Sequence, residues 1–110
     1  MSQAEPAAVA RKAKTRIVAE TPELRVTEYE LGKGEALPWH FHSEVTDHFY
    51  CLQGVIRVAL REGGQEWLLR PGESCIVPPQ QVHRSSNADE GTSRYLLIQG
   101  IGRHDFIKAD

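Results

Sequence analysis

Little in this chain points to a charged polymer or a membrane. Thirteen basic side chains stand against fifteen acidic ones, a formal net charge of -2. No overall field therefore favours nucleic acid or an anionic lipid surface. No apolar stretch approaches the roughly 18 residues that a membrane-spanning helix needs. Residues 1–15 carry Arg11, Lys12 and Lys14 but lack the apolar segment of a secretory leader. Cytoplasmic residence is the expectation. Cysteine is scarce as well: Cys51 and Cys75 lie in separate apolar runs, and neither belongs to a C-x-x-C pair. That excludes the common structural zinc sites and a disulfide framework, and leaves two buried thiols as the expectation.

Amphipathic helices are missing too. Beyond residue 15 no helical period longer than two turns is visible. Short runs rich in Val, Ile, Leu and aromatics recur instead: Thr15–Glu20, Leu24–Leu31, His48–Leu52, Val55–Arg61, Glu66–Arg70, Cys75–Val77 and Arg94–Gln99. Gly, Pro and Thr-Pro punctuation separates them. Ile56, Val58 and Leu60 alternate with Arg57, Ala59 and Arg61, the period of a strand with one face buried. Glu62-Gly63-Gly64-Gln65 reads as the turn of a hairpin. At 110 residues this is one all-β domain, a sandwich or barrel over 15–110, behind a mobile arm or short helix over 1–14.

The chemistry lies in the histidines. His40 and His42 close one strand-like run and His83 sits on another, with Asp47 between them. Alternate strand residues point the same way, so His40 and His42 can offer two imidazoles to one point. A fold that adds His83 and Asp47 makes a site of three nitrogens and one oxygen. Such donors suit Fe(II), Mn(II), Ni(II), Co(II) or Zn(II) and do not choose among them. An H-x-H pair alone is commonplace, so its surroundings decide.

Those surroundings have a pattern. The first block reads Gly34-x5-His40-x-His42-x4-Asp47-x6-Gly54, and the second Gly72-x5-Pro78-x4-His83-x3-Asn87. Together they resemble the paired motifs of the cupin superfamily, G-x5-H-x-H-x(3,4)-E-x6-G and G-x5-P-x-G-x2-H-x3-N. The resemblance implies a double-stranded β-helix, or jelly-roll barrel. It also implies one divalent metal ion per chain on His40, His42, Asp47 and His83, and a homodimer. Two positions depart from the pattern. Asp47 stands where the family has Glu, and its carboxylate reaches about 1.5 Å less far. Direct ligation by Asp47 then requires a backbone shift, and otherwise a bridging water; Glu44 and His48 are the nearest substitutes. Gln80 replaces the turn glycine.

Strand parity assigns the neighbours. Asp47 is in phase with Phe49 and Cys51, which become candidate pocket wall or plain core, and His83 with Ser85 and Asn87. Trp39 and Phe41 fall on the opposite face, and Trp67 in the core. His104 has no ligand-spaced partner. Arg84, Arg94 and Arg103 are candidates for an anionic substrate or for plain solvated surface. The resemblance implies a metal-dependent enzyme on a small organic molecule, of dioxygenase, isomerase or lyase type. The alternative is a non-catalytic barrel that binds or senses a small molecule or metal.

Overall fold

A computed structural model describes residues 13–109, and the arm expected over 1–14 lies almost wholly outside them. Ten strands follow one another with no helix among the described residues: β1 (Lys14–Thr21), β2 (Leu24–Leu31), β3 (His40–Phe41), β4 (Asp47–Gln53), β5 (Ile56–Leu60), β6 (Glu66–Leu69), β7 (Ser74–Val77), β8 (His83–Asn87), β9 (Ser93–Gln99) and β10 (Ile107–Lys108). They form two antiparallel five-stranded sheets, ordered β1-β2-β9-β4-β7 and β10-β3-β8-β5-β6. Chain neighbours often lie in opposite sheets, which gives the jelly-roll arrangement expected. Among the described residues, no helix is long and apolar enough to cross a membrane.

Alternation decides which side chains meet between the sheets. On β5, Ile56 and Val58 are fully buried. On β9, Ser93, Tyr95, Leu97 and Gln99 turn inward while Arg94, Leu96 and Ile98 turn out. Leu31, Leu37, Phe49, Leu69, Val77 and Tyr95 complete a continuous core. Each large apolar side chain removed from water here contributes about 1.5–3 kcal/mol. Trp67 packs against this core half-buried rather than inside it.

The turns behave as their residues require. Gly63 and Gly64 have φ of 83° and 68°, and Leu60 N–H donates to Gln65 O at 2.8 Å, closing the expected hairpin between β5 and β6. Strands β3, β8 and β10 were not among the clearest sequence runs. The residues of β8, His-Arg-Ser-Ser-Asn, contain no apolar side chain at all, because the inward face of this strand meets polar groups.

Candidate metal centre

Strand pairing assembles the histidines. Cα registers place His40 of β3 directly opposite His83 of β8. His42 follows two residues after His40 on the same face, and Asp47 opens β4 beside Gln99 of β9. One donor atom from each of His40, His42, Asp47 and His83 lies within 4.8 Å of all the others. The four residues are 0–4% exposed.

Each imidazole is oriented by a backbone carbonyl. His40 Nδ1 meets Pro38 O at 2.8 Å, His42 Nδ1 meets Asp105 O at 2.6 Å, and His83 Nδ1 meets Gln81 O at 2.8 Å. A carbonyl oxygen only accepts, so every Nδ1 carries the proton and donates it. In the neutral rings the lone pairs are then on Nε2, aimed at one another and at Asp47. Asp47 Oδ2 is 2.9 Å from both His42 Nε2 and His83 Nε2. Its Oδ1 accepts from Gln99 Nε2 at 2.9 Å. A neutral imidazole nitrogen facing a carboxylate oxygen at that distance is acceptor against acceptor. The contact needs a positive charge between them, a proton or a metal ion. His42 Nε2 makes this explicit, being buried without a properly aligned hydrogen-bond partner. Metal ligands around one ion at about 2.1 Å stand close to 3 Å apart when adjacent, and the two 2.9 Å contacts of Asp47 match that separation.

The same electrostatics appear in the acidities. Burial pushes His40 down to about 3, helped by the neighbouring His83, so its ring is neutral near neutrality. Burial also works against a charged His42, but the Asp47 carboxylate outweighs it and holds His42 above the usual imidazole value. For Asp47, burial opposes ionisation, and the His42 and His83 rings at 2.9 Å overcome it, leaving the carboxyl well below its ordinary range. The ionised, buried Asp47 thus favours a positive charge beside it.

The shorter side chain at Asp47 still reaches the cluster. Glu44 and His48 turn elsewhere: Glu44 accepts from Arg103 N–H at 2.9 Å, and His48 lies on the outward face of β4. Phe49 sits edge-on to His83 with ring centroids 6.0 Å apart. Cys51 points its thiol at the carbonyls of Gln53 and Gly54, in the core, and touches none of the four clustered residues among the contacts observed. Arg94 pairs with Glu28 at 2.7 Å, Arg84 lies over the Trp39 ring at 4.7 Å, and Arg103 approaches Glu44. His104 contacts Gly100 O at 2.9 Å. Arg94, Arg103 and His104 thus engage partners outside the cluster.

Sequence reading missed the supports. Gln99, the carbonyls of Pro38, Gln81 and Asp105, and Phe106 carry no motif of their own. Phe106 stacks on His40 with centroids 4.0 Å apart and planes 13° from parallel. Asp105 ties its own segment down by accepting from Ser43 N–H and Ser43 Oγ–H.

Residues 27–99 match the family profile described as Cupin domain. The chain belongs to the cupin family. This cupin is 38% identical over 69 residues to quercetin 2,3-dioxygenase of Bacillus subtilis (strain 168), a match over 63% of the chain that spans only 19% of that relative. A double-stranded β-helix protein from Klebsiella pneumoniae superposes with TM-score 0.80 at 20% identity, over 99% of this chain and 96% of the other. KdgF from Halomonas sp. superposes with TM-score 0.74 at 27% identity, covering 84% of this chain and 82% of its own.

Proposed function

We propose that this cupin is a metal-dependent enzyme acting on a small organic molecule, with one divalent ion held by His40, His42, Asp47 and His83. The observation that carries the reading is the convergence of lone pairs, with every Nδ1 proton committed to a backbone carbonyl. Four protein donors leave two positions free on a six-coordinate ion, which separates such a centre from a closed structural site. Bound there, the metal supplies Lewis acidity or, if redox-active, one-electron chemistry. The chain's own residues fix the ring tautomers, orient the carboxylate through Gln99, and keep bulk water from the cluster. Partial likeness to a dioxygenase supports the oxidoreductase branch over isomerase or lyase.

A second reading, a barrel that binds a small molecule or metal without turnover, draws on one observation. The four clustered residues are nearly inaccessible, and Phe106 covers His40. Loading the metal-free protein in turn with Fe(II), Mn(II), Ni(II), Co(II) and Zn(II) separates the two. We expect one ion per chain, uptake that fails in His83→Ala, and affinity that falls as pH drops through the raised value of His42, whose proton competes with the metal. Oxygen uptake or turnover of carbonyl, thiol or catechol compounds supports the enzyme; ligand binding without turnover under any metal supports the second reading. Uptake unaffected by His83→Ala would remove the site from both.

A further inference from the structure

Among the described residues, one aromatic ring lies between the histidine cluster and solvent. Phe106 is flat against His40 and edge-on to His42, with centroids 6.0 Å apart for the second pair. It is nonetheless 45% exposed. Phe49, the other aromatic against the cluster, is 2% exposed and locked in the core. A half-exposed ring just ahead of the two-residue β10 gains little from burial, so its contact with His40 is what holds it in place. The segment that carries it is attached by polar, reversible contacts. They include the Arg103 N–H on Glu44, the Asp105 carboxylate on Ser43, the Asp105 carbonyl on His42, two residue pairs between β10 and β3, and Ala109 N–H on Trp39 O. It leaves β9 through Gly100 and Gly102, the latter at φ 135°.

Building on the metal-centre reading, we propose that Phe106 is an intramolecular stand-in for the substrate. Its ring occupies the place on His40 that a flat, unsaturated ligand takes when it reaches the metal. Turning the Phe106 side chain away, with the Asp105 carbonyl still on His42, uncovers that face of His40, and a planar ligand restores the lost ring contact. A puckered saturated ligand of the same charge leaves the face of His40 uncovered.

The test uses the full chain loaded with Co(II), whose visible spectrum reports ligands at the metal. Benzoate and cyclohexanecarboxylate carry the same carboxylate on a flat and a puckered ring. Wild type should bind benzoate about fivefold more tightly than its saturated counterpart. Phe106→Ala should keep one Co(II) per chain, bind benzoate about tenfold more tightly because the competitor is gone, and lose Co(II) to EDTA about tenfold faster. Phe106→Tyr, which keeps the ring, should behave as wild type. Benzoate affinity unchanged or weakened in Phe106→Ala, or no preference for the flat ring, overturns the inference alone. Failure of wild type to take up Co(II) overturns the metal-centre reading and this inference with it.

Discussion

At the scale of single residues, the motif positions divide into donors and backbone positions. Gly54 has φ 75°, and a Cβ built there would lie 2.1 Å from Ser93 Oγ. Ser93 cannot yield, because its hydroxyl accepts from Val55 N–H at 3.1 Å and donates to Asn87 Oδ1 at 2.6 Å. Asn87 in turn donates to the carbonyls of Leu31 and Gly91. The motif glycine and asparagine therefore belong to one polar knot joining β5, β8, β9 and the end of β2. Gly54→Ala should cost about 2–4 kcal/mol, combining left-handed strain with overpacking. Urea denaturation checks this, and a loss under about 1 kcal/mol would contradict it. Gln80 shows the opposite economy: at φ 71° it adopts a glycine's conformation with a side chain attached. Its N–H on His42 O and its amide on Ser43 O hold it there, beside the histidines.

Among the elements, β3 and β8 carry the histidines yet are the hardest strands to recognise. Two residues suffice for β3 because β8 and β10 flank it, and β8 is polar because Ser85 donates to or accepts from the buried Tyr95 hydroxyl at 2.7 Å. Keeping His40 neutral on so short a strand has a consequence for the metal-free protein. Its folded value of about 3 lies below the ordinary 6.5, so its contribution to stability is complete above pH 6.5 and fades as pH falls toward 3. Asp47, also lowered, contributes above its ordinary 3.8 and loses that contribution in stronger acid. His42 has the opposite sign: raised, it contributes below 6.5 and loses that as pH climbs through its folded value. The metal-free protein should therefore lose stability between pH 6 and 4, with a slope from His40 approaching about 1.4 kcal/mol per pH unit. Denaturant titrations on wild type and His40→Asn check it: the slope should flatten in the variant, and equal slopes would refute the assignment.

For the whole molecule, the outward face of the β1-β2-β9-β4-β7 sheet is unusually apolar. Val26, Ile98, His48 and Ile76 stand in one row across four strands, and Glu28, Leu96 and Tyr50 in the next. Ile76, Leu52 and Tyr50 are 55%, 41% and 40% exposed. Beyond this face, β1 is exposed along its whole length and, among the described residues, pairs only with β2, leaving an edge open to a partner. Apolar sheet faces and unpaired edges are normally covered. A homodimer through this face is expected, and sedimentation should give about twice the 12.4 kDa chain mass. Ile76→Lys should return the mass to that of one chain without changing metal uptake. Wild type sedimenting as a single chain at micromolar concentration would refute the dimer.

Strand alternation and turn glycines were enough to predict an all-β sandwich or barrel. The spaced histidines and Asp47, through their resemblance to the cupin motifs, named the barrel type and four donor residues, because period and spacing are local properties of the chain. Parity could place Phe49 and Cys51 only as generic pocket wall or core. Folding determined the rest. Whether the shorter Asp47 reaches the cluster depends on where β4 begins, and which nitrogen of each ring faces inward depends on carbonyls of Pro38, Gln81 and Asp105. Gln99 and Phe106 join the centre from 52 and 66 residues beyond Asp47 and His40. Nothing local in the chain marks them, since only packing of the two sheets and return of the C-terminal segment bring such distant groups within a few ångströms.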